Sequence, residues 1–470
     1  MTSPLRVHAQ ASSDAPALVA PNRTWSYAEL DRAVRGTTRR LRQEGIGPGD
    51  RVALVPERRP GPVRLLWALW QIGAVAVPLS ARLPRSVQQE QAARVGCRGA
   101  VRRDGADEFI VEEGREVTRA SVVAESVPKG GPPAREEREA TIVFTSGSTG
   151  EPKAALHTWA NHLYSAKGAN ANLPLRRGDR WLLSLPLYHV GGLAILVRCA
   201  LRGAAVVLPD PAADLATALS ATRATHVSCV ATQLRRLLDA REEPPPSLRA
   251  ALLGGGPLPA PLLDRAAATG WPVLTSYGCT EMASQVTTTA PGASRSAHET
   301  AGARLPHRRL RIGPDGQILV AGRTLFRGYV TEDGLDDPRT DEGWYPTGDR
   351  GRLDAQGHLH VLGRIDRMFV SGGENIQPEE IETALERLPG VERAAVVPVS
   401  SAEYGRRPVA FVRTAGRLDA SRLQDRLRDR LPRFKVPDAI YPFPDAALDG
   451  GLKVDRDGLQ QWAMRHREGG

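Results

Sequence analysis

The chain has 470 residues, 41% hydrophobic and 25% charged, with a formal net charge of +10. That length points to more than one domain, and that balance to a soluble globular enzyme. The basic excess is nearly all arginine and is scattered without interleaved stacking aromatics, which argues against a nucleic-acid partner. No apolar leader opens the chain. The longest apolar stretch, Leu193 to Leu208, is broken by Arg198 and Arg202, so neither export nor stable membrane insertion is expected. Cys97, Cys199, Cys229 and Cys279 lie far apart without metal-ligand spacing and read as reduced thiols of a cytoplasmic protein.

In chain order, Ala17–Ala20 and Thr24–Ser26 read as a hairpin around Pro21-Asn22. Ser26-Tyr-Ala-Glu29 reads as a capping box for a helix that runs to Glu44 and stops at Gly45. Asp50–Val55 is strand-like, Pro62–Ile72 helix-like and Ala74–Leu79 strand-like. Ser126–Glu139, rich in Pro, Gly and charge, reads as a flexible approach to the next strand, Thr141–Phe144. Further alternation runs through Trp181–Leu185, Ala204–Leu208, His226–Val230 and Ala250–Leu253, the pattern of an α/β fold with largely parallel sheets. After about residue 300 come short strands between Gly/Asp turns. Near Arg364-Ile-Asp366 the chain enters a small last domain: a helix at Pro378–Leu388, strands at Val391–Val399 and Pro408–Thr414, and a helix at Ser421–Arg430.

The strand Thr141–Phe144 ends in Thr145-Ser-Gly-Ser-Thr-Gly-Glu-Pro-Lys153. Gly147 and Gly150 let the backbone approach an anion closely, while the hydroxyls of Ser146, Ser148 and Thr149 and the Lys153 ammonium suit phosphate oxygens. A Gly/Ser loop alone is usually a surface turn; the strand, the hydroxyls and the terminal Lys together argue for a phosphate cradle that lacks the spacing of the common G-x-x-x-x-G-K-[ST] loop. Five more motifs follow in order, with Lys453 in a sixth. They are Leu185-Pro-Leu-Tyr-His-Val-Gly-Gly192, Leu253-Gly-Gly-Gly-Pro257, Ser276-Tyr-Gly-Cys-Thr-Glu281, Gly343-Trp-Tyr-Pro-Thr-Gly-Asp349 and Gly363-Arg-Ile-Asp-Arg-Met-Phe-Val-Ser-Gly-Gly-Glu-Asn375, then Gly450-Gly-Leu-Lys-Val-Asp-Arg456.

This set resembles the adenylate-forming family of acyl-CoA synthetases, firefly-type luciferases and peptide-synthetase adenylation domains, over nearly the whole chain. The short length and Thr158-Trp-Ala-Asn-His-Leu-Tyr164 look most like its 2-succinylbenzoate–CoA ligase branch, of menaquinone biosynthesis. The resemblance implies a large N-terminal domain, residues 1–364, of stacked mixed and parallel sheets with helices, and a small mobile α+β C-terminal domain, residues 365–470, hinged near Asp366. It implies that Thr145, Ser146, Gly147, Ser148, Thr149, Gly150 and Lys153 hold the outer phosphates of ATP, that Thr280 meets the α-phosphate, and that Glu281 binds Mg²⁺. Tyr277 would stack on adenine, with Gly254, Gly255 and Gly256 letting the base come close. Asp349 and Arg364 would take the ribose. Lys453 would bridge the reacting carboxylate and the α-phosphate.

For the acid, the resemblance implies that His189 lines the pocket and gates the thiol's route, with Ser276 and Gly278, and with Thr287 and Gly302, beside it. Arg198 lies in an apolar helix-like segment, where a buried guanidinium requires an anion. The second carboxylate of an aryl dicarboxylic acid is one candidate; a protein carboxylate, or a side chain reaching solvent, is the other. The expected small-molecule partners are ATP, an aryl carboxylic acid and coenzyme A, with a homodimer left open. Another aryl or short acyl acid, or loading of a carrier protein, stands as the alternative. No carrier-like segment follows Gly470, so free CoA is the expected thiol.

Overall fold

The computed structural model describes residues 3–104, 108–113, 135–145, 152–173, 175–241, 243–256, 258–371, 374–401, 403–444, 448–449 and 453–467. Among them, a nine-stranded and an eight-stranded mixed sheet dominate the first three-quarters of the chain. The nine-stranded sheet has a parallel centre running from Val273–Cys279 through Ala250–Leu253, His226–Cys229, Arg180–Leu182 and Ala205–Val207 to Pro16–Ala20, with antiparallel strands at both edges. The eight-stranded sheet places Glu139–Thr145 between Val75–Pro78, parallel to it, and Lys153–Thr158, antiparallel. A four-stranded antiparallel sheet, Arg308–Ile312, Gln317–Gly322, Tyr345–Leu353 and Leu359–Arg364, follows.

The strands at the sheet centres are buried over their whole length, as Val75–Pro78, His226–Cys229 and Ala250–Leu253 show, because helices cover both faces. The helices Leu215–Ala221, Ala231–Ala240 and Ala260–Ala268 close one face of the nine-stranded sheet with Leu219, Leu234, Leu237, Leu262 and Leu263. Local signals account for many boundaries. Ser26 Oγ accepts from the Glu29 amide at 3.2 Å, and the Glu29 carboxylate accepts from the Ser26 amide at 2.8 Å; this capping box starts the helix Tyr27–Gln43. The hairpin ahead of it is formed by Pro16–Ala20 and Arg23–Ser26. The expected approach Ser126–Glu139 lies outside the described residues up to 134; Arg135–Glu137 is a short 3₁₀ turn. No described helix is long and apolar enough to cross a membrane.

After Phe369 the buried clusters draw only on residues of the C-terminal part. The strands Val391–Ser401, Gly405–Thr414 and Ala439–Pro442 form its sheet, packed by the helices Pro378–Glu386, Ala420–Arg428 and Arg456–Arg467. Glu386 ends the first of these helices and accepts from the Ala394 amide at 3.1 Å. Burial pushes its carboxyl up to about 7, against the pull of that amide and of Arg393 and Arg235. A folded value above the unfolded one means that the folded state holds the proton more tightly. The stabilisation is therefore full below the unfolded pKa and is lost as pH rises through 7. Glu386→Gln is expected to raise stability at pH 8 by on the order of 1–3 kcal/mol and to leave it nearly unchanged at pH 4. Melting curves that stay parallel for the two proteins across that range would refute this.

Candidate nucleotide and acid site

Thr145, the last residue of Glu139–Thr145, lies directly opposite Lys153, the first of Lys153–Thr158. The loop between them therefore closes a hairpin. Its members Ser146, Gly147, Ser148, Thr149 and Gly150 lie outside the described residues. The Lys153 ammonium sits 5.0 Å from the centre of the Tyr329 ring. The Tyr329 hydroxyl donates to Glu281 Oε1 at 2.6 Å and lies 2.9 Å from the Tyr345 hydroxyl. Burial, then the Glu281 charge, drives the Tyr329 hydroxyl well above its ordinary range, so it acts as a fixed donor. Tyr329 thus joins Lys153 to the buried Glu281 carboxylate, a link that sequence reading missed because both residues were assigned without it.

Thr280 and Glu281 open a 3₁₀ turn, Thr280–Met282, at the end of the strand Val273–Cys279. The Thr280 carbonyl lies 2.7 Å from His157 Nε2, which donates to it. Burial holds the His157 ring neutral, so that donor stays on Nε2. The backbone at the turn is forced: Ala283 has φ 52° and Ser284 φ 129°, both unusual for residues with a side chain. Gly278 faces this bend, and a Cβ on it would stand 2.1 Å from the Ser284 carbonyl oxygen. Gly278 is therefore needed for the two strands to approach, whatever it presents to a ligand. Glu281 offers one hard oxygen-donor carboxylate, and no group of three or more His, Cys, Asp or Glu able to hold a metal occurs among the described residues. A single carboxylate suits Mg²⁺, which takes most of its ligands from phosphate oxygens and water, so the residues fit that cation.

Tyr277 lies in the same strand and donates to Asp349 Oδ2 at 2.7 Å. Asp349 is opposite Arg364 in the register of Tyr345–Leu353 with Leu359–Arg364. The Arg364 guanidinium stands 3.4 Å from Asp349 and also binds the Thr347 carbonyl at 3.0 Å and Asp366 Oδ2 at 2.7 Å. Burial raises the Asp349 carboxyl, while the Tyr277 hydroxyl and Arg364 pull it back. One chain of contacts, Tyr277–Asp349–Arg364–Asp366, thus ties the Asp349–Arg364 pair, assigned jointly to the ribose, to Tyr277 and Asp366, which were assigned to other roles. Gly254 follows Ala250–Leu253; a Cβ there would meet Ser276 Oγ at 3.0 Å, and that hydroxyl is spent on the Leu253 carbonyl at 2.7 Å. Gly255 has φ 86°, while nothing lies within 4 Å of a Cβ on Gly256.

His189 is the exposed N-cap of the helix Val190–Arg202, its ring 4.7 Å from that of Tyr188. Nine residues along the same helix, Arg198 is 1% exposed. Its guanidinium donates to Ser284 Oγ at 3.1 Å and lies 5.4 Å from the Trp181 ring; its Nε finds no partner among the described residues. No carboxylate pairs with it there, and burial lowers it only to about 10, so it is charged at neutral pH. Of the alternatives left open by the sequence, neither reach to solvent nor a described protein carboxylate applies. Thr287, on the same strand as Ser284, is fully buried with its hydroxyl unpartnered among the described residues. Gly302 has φ 75°, and a Cβ on it would stand 2.1 Å from the Thr288 and Thr289 backbone. Lys453 begins a two-residue strand whose partner is Leu448–Asp449.

The model of the AMP-binding enzyme family matches residues 5–330, and that of the AMP-binding enzyme C-terminal domain matches 380–448. A 2-succinylbenzoate–CoA ligase of Salmonella typhimurium is 36% identical over 463 residues, 98% of each chain. Bacillus subtilis o-succinylbenzoate CoA synthetase (MenE) with the acyl-adenylate intermediate OSB-AMP superposes with a TM-score of 0.85, at 29% identity and 98% coverage of each chain. The same protein with ATP and magnesium ion gives 0.83, at 29% identity, covering 98% of this chain and 99% of that one. Full-length agreement in sequence and in fold has one explanation: this chain belongs to the AMP-binding enzyme family, among its 2-succinylbenzoate–CoA ligases.

Proposed function

We propose that the chain is an AMP-forming acid–CoA ligase that activates 2-succinylbenzoate with ATP and transfers the acyl group to coenzyme A. A carboxylate oxygen attacks the α-phosphorus of ATP, the bond to pyrophosphate breaks, and an acyl-adenylate forms. The CoA thiol loses its proton, attacks the acyl carbon, and AMP leaves with the electron pair of the acyl–oxygen bond. The first step joins two anions, so the protein's contribution is position and countercharge.

In this reading Thr145, Ser146, Gly147, Ser148, Thr149, Gly150 and Lys153 hold the outer phosphates, Thr280 holds the α-phosphate, and Glu281 holds Mg²⁺. That cation supplies neutralising charge on the triphosphate. Tyr277 lies against adenine, with Gly254, Gly255 and Gly256 beside the base. Its hydroxyl, bound to Asp349, fixes the ring relative to the carboxylate that takes the ribose with Arg364. Ser276 and Gly278 shape the pocket wall, and His189 stands at the thiol's route. Lys453 enters with the lid, residues 365–470, which turns about Asp366. The four free thiols suit a reducing compartment, and we place the reaction in the cytoplasm.

The observation that carries the acid assignment is Arg198. A buried guanidinium without a described carboxylate, bonded to Ser284, whose carbonyl oxygen lies against Gly278, stands ready for an anion brought by the substrate. A pyrophosphate-release assay with ATP, magnesium and CoA tests it. Release is expected with 2-succinylbenzoate and only trace release with benzoate. Equal rates, or none with either acid, would overturn the assignment.

A further inference from the structure

A second guanidinium is buried near the first. Arg308 is 1% exposed at the start of the strand Arg308–Ile312. Its neighbours along the strand show why the sequence hides it: Arg309 and Arg311 point outward, and only strand alternation separates them from Arg308. Its five N–H donors all go to neutral oxygens. Nε donates to the Gln285 carbonyl at 2.7 Å. Nη1 donates to the Pro306 carbonyl at 2.8 Å and the Tyr164 carbonyl at 3.5 Å. Nη2 donates to the Ser165 carbonyl at 3.0 Å and Ser165 Oγ at 3.2 Å. Room for it is reserved by Gly168, where a Cβ would stand 2.0 Å from Nη1.

These bonds satisfy the donors but leave the charge in place, since no described carboxylate approaches. Burial and the charge of Arg198 lower Arg308 to about 9, which still leaves it protonated at neutral pH. Gln285, which receives Nε, is next in sequence to Ser284, which receives Arg198. Two cations without a described carboxylate therefore flank one stretch of the strand Ser284–Thr288, in a buried interior where their mutual repulsion is weakly screened. An anion beside Arg198 relieves that repulsion. A neutral group there does not.

We infer that Arg308 is a specificity-determining residue: without touching the acid, its saturated, unneutralised guanidinium strengthens the preference of the Arg198 pocket for an acid with a second carboxylate. The inference rests on the dicarboxylate reading of Arg198. It assigns Arg308 an electrostatic role beyond its evident one of pinning the strand Arg308–Ile312 to the helix Trp159–Asn172.

The test is the ratio of kcat/KM for 2-succinylbenzoate to that for the same acid lacking the second carboxylate, in wild type, Arg308→Met and Arg308→Lys. Arg308→Met is expected to lower the ratio about tenfold through loss of the charge, and Arg308→Lys to keep it at neutral pH even where thermal stability falls. A buried ammonium gives up its proton more readily than a guanidinium, so the ratio in Arg308→Lys should fall as pH rises from 7 to 8, below the value of about 9 at which Arg308 itself titrates, while that of wild type, corrected for any common loss, stays level. This second measurement decides the matter if Arg308→Met does not fold. Equal losses for both acids in the variants, or a ratio in Arg308→Lys that stays level with pH, would make Arg308 a structural pin only. A wild-type enzyme indifferent to the second carboxylate would overturn the dicarboxylate reading itself; a wild-type preference that survives Arg308→Met would overturn this inference alone.

Discussion

Replacing Lys453 by alanine is expected to slow acyl-adenylate formation by roughly 10²–10³-fold, the usual cost of removing one preorganised group that meets developing charge. Thioester formation from supplied acyl-adenylate should stay within about threefold of wild type, because the second step no longer brings two anions together. The asymmetry follows from the chemistry of the first step. A carboxylate and a phosphate repel as they close, and an ammonium placed between them lowers the barrier without itself reacting. Lys453 opens the short strand that pairs with Leu448–Asp449, and in the proposed mechanism it reaches the phosphate as the C-terminal part turns. Measuring the two half-reactions separately checks this, and a similar loss in both would remove Lys453 from its assigned place.

The second large effect is expected at Arg198. Arg198→Met should cut kcat/KM for the dicarboxylate acid by about 10²-fold, the order of a desolvated charge pair worth some 3 kcal/mol. The acid without the second carboxylate should be used as well as before. The same substitution should raise thermal stability, because it exchanges an unpaired buried cation for an apolar side chain of similar length. Gain of stability with loss of one substrate is a signature that a structural arginine would not give. If both acids fail together and the melting temperature drops, Arg198 holds the fold instead.

Much of this arrangement could be read before any coordinates. Signals confined to a few neighbouring residues were legible: the Ser26/Glu29 capping box, the Pro21-Asn22 hairpin, the apolar helix that carries Arg198, and the strand that runs into Thr145. The family's motifs gave the names of Tyr277, Glu281, Asp349 and Arg364. Their partners were another matter. That Tyr329 binds Glu281, that Tyr277 binds Asp349, and that Arg308 turns inward to reach Tyr164, Ser165 and Gln285 all depend on register and packing between segments 23 to 144 residues apart. No local pattern encodes such a meeting. The fate of Ser276 shows the same limit: the motif marks it for the pocket, yet its hydroxyl is committed to the Leu253 carbonyl.

The guanidinium of Arg364 is divided between two carboxylates, Asp349 on one side and Asp366 on the other. Any swing that carries Asp366 away leaves Arg364 to Asp349 alone, and Asp349 then becomes the stronger acid. In the proposed swing about Asp366, the protonation of Asp349 gauges where the C-terminal part stands. By the same reciprocity, a sugar that engages Asp349 biases that swing.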